Sequence, residues 1–174
     1  NDYKQFFDRT RFILKGARYD TQRNTEQQLL DYTKKQEQNP YLEMLYFQFG
    51  RYLLISCSRT PGVPANLQGL WAPARLSPWR GNYTTNINLE ENYWPAEVAN
   101  LSELTMPVEG LVKALAATGK YTAKHFYGIE EGWCAGHNTD AWAMSNPVGT
   151  KKESPKWSNW NMGGAWLVDS LGSL

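Results

Sequence analysis

The sequence predicts a mainly α protein built as a toroid of helical hairpins. Three observations carry that reading. Apolar residues recur at helical spacing in several stretches, no alternating strand pattern of useful length is present, and short turns alternate with long, aromatic-rich loops. In such a toroid the long loops gather at one end and serve function. At 174 residues the chain has room for one domain with one sizeable core.

Taken in order, Asn1 to Gly16 mixes aromatic and charged residues without a clear period and fits a helix start or a linker. Asn24 to Gln36 reads as a polar helix, with Thr25 as its cap and Leu29 and Leu30 as its apolar stripe. Asn39-Pro40 opens the next helix, since proline suits a first turn. Over Leu42 to Cys57, the residues Leu42, Leu45, Phe49, Tyr52 and Leu53 fall at helical spacing. Tyr46, Phe47, Leu54 and Ile55 add apolar surface on other sides, so this helix is expected to be buried all round, with Gln48 and Arg51 needing interior partners. Pro61, Pro64, Pro73 and Pro78 preclude a continuous helix between Ser58 and Trp79. That loop carries Asn66, Gln68, Trp71 and Trp79 and either binds a ligand or plugs one end of the helical layer. Asn88 begins a helix, Pro95 interrupts it or opens the next, and Ala96 to Asn100 runs to a stop. Ser102 to Glu109 starts again, and Leu111, Val112 and Leu115 continue the helical pattern. Gly119 is expected to break it, with Tyr121 to Tyr127 adding about two turns before Gly128 closes them. Gly132 to Gly149 is a second rich loop, and Ser158 to Leu171 a final helix.

Lys and Arg number 18 against 17 Asp and Glu, a formal net charge of +1. That balance favours neither a nucleic acid nor an acidic partner. Eight Trp and ten Tyr, set near Asn, Gly and Pro, favour a ligand-lined cavity over an ordinary aromatic core. Cys57 and Cys134 allow one disulfide, but two buried thiols are the preferred reading, and neither sits at metal-ligand spacing. No metal or cofactor is expected. There is no signal peptide and no run of about twenty apolar residues to cross a membrane. Asn1 to Phe7 and the stop at Leu174 both read like the interior of a longer protein.

The most distinctive stretch is Asn86 to Glu97, Asn-Ile-Asn-Leu-Glu-Glu-Asn-Tyr-Trp-Pro-Ala-Glu. Amides and carboxylates beside aromatic faces suit hydroxyl-rich ligands, because sugars offer hydrogen-bonding edges and apolar C–H faces. The plainer reading is a capped surface helix. Asn86 and Asn88 alternate, so in an extended segment both would point to one side and could hold a water or a sugar hydroxyl. An amide can orient a water but cannot take its proton. Glu90, Glu91 and Glu97 are candidate acids or bases, although adjacent glutamates at a helix start usually complement the dipole. His137 and Asp140 could be a base and its orienting partner. With no nucleophile beside them, the reading that they close a loop is preferred. No phosphate loop, His-Glu-x-x-His or Gly-x-Ser-x-Gly is present.

Several motifs together resemble the family 95 glycoside hydrolases. They are Leu45-Tyr-Phe-Gln-Phe-Gly-Arg-Tyr-Leu-Leu, Asn66-Leu-Gln-Gly-Leu-Trp, Trp79-x-Gly-x-Tyr, the Asn86 to Glu97 stretch, Gly132-Trp with His137-Asn-Thr-Asp, and Met162-Gly-Gly-Ala-Trp. The resemblance implies an (α/α)6 barrel and an inverting, exo-acting α-L-glycosidase that removes terminal α-L-fucose or α-L-galactose from plant or host glycans. In that mechanism a glutamic acid protonates the leaving oxygen, while a water held by two asparagines and activated through an aspartate attacks the other face. Asn86 and Asn88 match the water-holding pair. Thr84, Trp79, His137, Asp140 and Trp166 are the candidate substrate contacts. The expected partner is an oligosaccharide, and the expected location is secreted or periplasmic.

Two departures shape the expectation. The family's acid and base lie downstream of this motif, and twelve helices of about eleven residues with connections of about five exceed the chain. Residues 1–174 are therefore expected to be part of the catalytic domain, lacking that acid and base and inactive in isolation. The family's fucosidases usually carry histidine two residues before the first asparagine, where this chain has Thr84. A smaller threonine leaves room for O6 of L-galactose, so tolerance of, or preference for, α-L-galactosides is expected. If Thr84 only caps the turn after Tyr83, fucose remains the substrate. The readings from other classes are a carbohydrate-binding helical module without catalysis and a plain helical scaffold.

Overall fold

The computed structural model describes residues 2–149, 156 and 158–172; Asn1 and Leu174, the ends singled out above, lie outside them. The described residues are mainly helical, as expected. The chain divides into two compact units, Asn1–Leu53 and Leu54–Leu174.

The first unit holds α1 (Asp2–Phe7), α2 (Thr25–Lys35) and most of α3 (Pro40–Ser58). Arg51 is 3% exposed, and its guanidinium donates to the carbonyl oxygens of Phe6 at 2.9 Å, Phe7 at 2.8 Å and Thr10 at 3.3 Å. The last carbonyls of α1 have no partner within their own helix, so a buried cation there satisfies them and complements the dipole. This is the interior partner that Arg51 was expected to need. Pro40 opens α3, and Asn39 Oδ1 accepts the Leu42 N–H at 3.0 Å, a side-chain cap.

Three readings of this unit are corrected. The cap of α2 is Asn24, not Thr25: Asn24 Oδ1 accepts the Gln27 N–H at 2.8 Å, and Thr25 is already helical. The expected stripe of Leu29 and Leu30 is exposed, whereas Gln28 and Asp31 are buried. Polar bonding decides this. Asp31 pairs with Lys35 at 2.7 Å and Arg23 at 2.9 Å, and Gln28 donates to Arg23 O and accepts from Asn39 Nδ2. The Lys35 ammonium, and then Arg23, hold the Asp31 carboxyl down at about 2. Nor is α3 buried all round. Leu42, Leu54, Ile55 and Cys57 are buried, but Leu45, Tyr46, Phe49 and Tyr52 stand exposed, with only the Tyr3 ring packed edge-on against Tyr52 among the described aromatic contacts of that face from outside α3.

The second unit is built around Leu89, Leu101, Leu104, Leu115 and Leu167, each fully buried together with Ile55. Full burial of each such side chain contributes about 2 kcal/mol. It contains α4 (Asn88–Tyr93), α5 (Pro95–Val98), α6 (Met106–Tyr127) and α7 (Gly163–Gly172). Pro95 does open a new helix, as one of the two readings had it, and α7 begins at Gly163, five residues later than expected from Ser158. A two-stranded antiparallel ribbon joins β1 (Tyr83–Thr84) to β2 (Asn138–Thr139), with Tyr83 opposite Thr139 and Thr84 opposite Asn138. The proline-rich loop is not helical, and it is held at Ala65, whose N–H donates to Tyr93 Oη at 2.7 Å. Cys57 and Cys134 are both thiols, Cys57 buried and Cys134 half-buried.

Gly119 does not break α6. The helix runs through it to Tyr127 and ends at Gly128 in the left-handed conformation. Gly119 is there for a close approach: a Cβ at this position would lie 2.4 Å from the Cys134 carbonyl oxygen. The same loop is pinned further along α6, where Thr118 Oγ1 donates to Ala143 O at 2.7 Å and the Thr122 and Ser145 hydroxyls meet at 2.7 Å. Alanine is the better helix former by about 1 kcal/mol, yet a backbone carbonyl in its path has little room to give. Gly119→Ala is therefore expected to destabilise the protein by about 1–3 kcal/mol, measured by chemical denaturation. A stabilised variant would show that the loop is not seated on α6 in this way.

Candidate functional site

The expected site residues all lie in the second unit, with Thr84 in the ribbon itself. Tyr83 and Thr84 enter it buried, with Tyr83 Oη donating to Pro64 O at 2.8 Å. Burial, and then the neighbouring Tyr93 and Asp140, push the Tyr83 phenol up to about 12. Thr84 is 4% exposed, and its hydroxyl accepts from Asn138 Nδ2 at 3.4 Å. Thr85, fully buried, donates its N–H to His137 O at 2.9 Å and its hydroxyl to Gly136 O at 2.7 Å, while its own carbonyl accepts from Trp160 Nε1 at 3.0 Å.

After Thr85 the chain turns, so the extended segment expected to align Asn86 with Asn88 is not there. Asn86 lies in the turn, Ile87 follows with φ 158° and ψ −37°, and Asn88 is the first residue of α4. Both asparagines are half-buried. Asn86 Oδ1 is buried and has no hydrogen-bond partner among the described residues. The same holds for Asn82 Oδ1 beside β1 and Thr139 Oγ1 in β2. Buried acceptors are rarely left unmatched, and an unmatched group marks a place for water, an ion or a ligand.

Trp79 stands on a braced turn. It and Arg80 both take the left-handed conformation, with φ of 55° and 57°. This costs a residue with a Cβ about 1–2 kcal/mol. Asn66 Nδ2 donates to Gly81 O at 3.1 Å and Gln68 Nε2 to Pro78 O at 2.9 Å, holding the turn from the proline-rich loop. Trp79 is left 61% exposed. Asn66 and Gln68 thus act on the loop itself, and Trp79 is what the loop presents.

His137 and Asp140 do not form a base with its orienting partner. Asp140 Oδ1 accepts the N–H groups of Trp142 at 2.9 Å and Met144 at 3.1 Å, so it closes its own loop, as the preferred reading had it. His137 Nδ1 meets Asn138 Oδ1 instead. Trp166 lies on α7, its ring 6.1 Å from that of Trp160, and lines a cavity of about 330 Å³ shared with Glu90, Tyr93, Trp94 and Glu97.

Glu90 is where sequence reasoning fell short. Glu91 is exposed in the first turn of α4 and fits the dipole role, but Glu90 is 3% exposed, and neither of its oxygens has a partner among the described residues. Burial raises its pKa above the ordinary value of 4.5. The signal was in the spacing: Glu90 and Tyr93 fall at i and i+3 on α4, on one helical face, and both are buried.

Unmatched amide and carboxylate oxygens beside presented indole rings on a helical scaffold suit a protein that handles carbohydrate. Comparison with known proteins makes the class specific: the Glycosyl hydrolase family 95 catalytic domain matches residues 1–173, and the chain belongs to that family. It is 39% identical to Alpha-L-fucosidase 2 of Arabidopsis thaliana over 171 residues and 33% identical to "Probable alpha-fucosidase A" of Aspergillus niger over 167, in both cases over 95% of this chain. A protein with the same printed name from Aspergillus oryzae is 44% identical over 100 residues, 57% of this chain and 14% of its own length. The chain spans 20% of the length of the Arabidopsis and Aspergillus niger relatives.

An acid whose native pKa is raised stabilises the fold below its unfolded pKa and loses that contribution as pH rises through the native value. The full-length protein is expected to lose stability relative to its Glu90→Gln variant as pH climbs above about 4.5. Denaturant midpoints across pH 4 to 8 (on the order of half-unit steps) resolve the difference. A difference that does not change with pH would mean that Glu90 is paired in the protein.

Proposed function

We propose that this chain is part of the catalytic domain of an inverting, exo-acting α-L-fucosidase. The domain is an (α/α)6 barrel, and the general acid and base come from polypeptide outside these 174 residues. The enzyme acts outside the cytoplasm, as a secreted or periplasmic protein, on terminal α-L-fucose of oligosaccharides. Membership of family 95 and relatives printed as fucosidases support the reaction class. The observation that carries the site is the buried, unmatched Oδ1 of Asn86.

Inversion needs a water on the face opposite the leaving oxygen, between carboxyl groups about 6.5–9.5 Å apart. Asn86 Oδ1 is an acceptor without a donor among the described residues, so it can take one O–H of that water and aim its lone pair at the anomeric carbon. Asn88, at the start of α4, supplies the second contact. Neither amide can take the proton, which passes to the base carboxylate as the new C–O bond forms. The old C–O bond breaks as the acid protonates the leaving oxygen.

Thr84 supports fucose over L-galactose. Its side chain is buried, and its hydroxyl accepts from Asn138 across the ribbon, which supports a structural role for it, though in the ribbon rather than as a cap of the turn after Tyr83. Trp79, exposed on its braced turn, remains the candidate for packing on an apolar sugar face.

In the full-length enzyme, Asn86→Ala and Asn88→Ala are expected to lower kcat on the order of 10²-fold or more, with KM changed far less, because a held nucleophile contributes mainly in the transition state. A change confined to KM would make them ordinary substrate binders. The wild-type enzyme is expected to prefer aryl α-L-fucoside over aryl α-L-galactoside in kcat/KM, with Thr84→His costing stability more than it moves that ratio. A wild-type preference for the galactoside that the histidine reverses would instead put Thr84 against C6 of the sugar.

A further inference from the structure

Asn86 Oδ1 has no hydrogen-bond partner among the described residues to orient it. Its direction is therefore set by the backbone on either side. Downstream stands Ile87, at φ 158° and ψ −37°. A β-branched residue keeps such a conformation only where its surroundings over-determine it. Its carbonyl accepts the Glu91 N–H at 2.7 Å, which ties this side of the turn to α4. Upstream stands Thr85.

Two of the Thr85 bonds belong to its backbone: the N–H to His137 O at 2.9 Å, and the carbonyl from Trp160 Nε1 at 3.0 Å. Any residue but proline could make them. The third does depend on residue type. Thr85 Oγ1 donates to Gly136 O at 2.7 Å, in a side chain with no exposed surface. The neighbouring Thr84 hydroxyl makes only a longer contact, at 3.4 Å. Gly136 is itself seated: a Cβ on Gly163 would lie 3.2 Å from its carbonyl and 2.9 Å from that of Ala135. The Thr85 hydroxyl thus fastens the residue before Asn86 to a segment pressed against the start of α7. Valine has nearly the same shape but cannot donate this bond.

Resting on the reading that Asn86 holds the attacking water, we propose that Thr85 is a positioning residue for the reaction. Its hydroxyl, bonded to Gly136 O, fixes the turn that aims the Asn86 amide. Being fully buried, Thr85 acts through Asn86 and touches no sugar. Without the hydroxyl the turn is free to shift, and a misplacement of about 1 Å costs a reaction on the order of 10²-fold.

The test is a double-mutant cycle in the full-length enzyme, with kcat and KM measured on aryl α-L-fucoside. Thr85→Val is expected to lower kcat about tenfold or more, with KM changed far less. Thr85→Ser, which keeps the hydroxyl, is expected to recover most of that loss. In the Asn86→Ala background Thr85→Val is expected to lower kcat little further, because both changes remove the same contribution. Losses that multiply in the double variant would overturn the proposal and leave Thr85 a purely structural residue. So would a wild-type kcat in Thr85→Val, or a loss in Thr85→Ser equal to that in Thr85→Val. If Thr85→Val does not fold, Trp160→Phe takes its place, deleting the N–H that donates to Thr85 O while keeping an aromatic ring. The same expectation and the same overturning result then apply to its cycle with Asn86→Ala. A wild-type kcat in Asn86→Ala alone would overturn the water-holding reading itself.

Discussion

The hydrogen bonds of Thr85 are the constraint on which the rest of the site depends. Its N–H, hydroxyl and carbonyl are committed to His137 O, Gly136 O and Trp160 Nε1, and the residue is fully buried. In the interior such bonds are stronger than in water and costly to leave unmade. Segments some fifty and seventy-five residues downstream are thereby fixed to one backbone position. Because that position immediately precedes Asn86, the turn carrying the amide is set from outside its own helix. The β1–β2 ribbon extends the same junction by two residue pairs.

This junction requires backbone to pass close to backbone, and that explains the glycines. Gly119 lets the Cys134 carbonyl lie on α6, and Gly163 lets the Ala135 and Gly136 carbonyls lie on the start of α7. Mid-helix glycine costs about 1 kcal/mol relative to alanine. Here that loss is offset by contacts that no larger residue permits. The 133–136 segment is held between two helices, so the groups it carries to Thr85 cannot drift. The site is thus positioned by a packed scaffold although most of its residues lie in loops.

Much of this was legible in the sequence. The α3 and α6 helices, the openings at Pro40 and Pro95, and the stop at Gly128 follow from apolar period and from the fixed φ of proline. The errors share one physical origin: local pattern does not report what a residue meets across the fold. Gly119 looked like a breaker because propensity cannot see Cys134. Leu29 and Leu30 looked like an inward stripe, but paired charges at Asp31 turned the polar face inward. The asparagine pair was misread as geometry, since nothing local announces the turn between Thr85 and Asn88.

What sorts the polar residues of the site is whether their bonding capacity is already used. Asn66 spends its amide nitrogen on Gly81 O and its oxygen on the Gln68 N–H; Asp140 spends one carboxylate oxygen, Oδ1, on two backbone N–H groups; Thr84 meets Asn138. All were candidates by residue type, and each is occupied in shaping the chain. The Oδ1 of half-buried Asn86 and the carboxylate of buried Glu90 are both shielded from solvent and unmatched among the described residues. Burying such groups unpaired costs free energy, by about 1–3 kcal/mol for a neutral acceptor and more for a charge. A fold that carries this cost at two points of one short motif, four residues apart, is completed by something that donates to them. For Glu90, burial raises the carboxyl's pKa and so favours its neutral form relative to an exposed carboxyl.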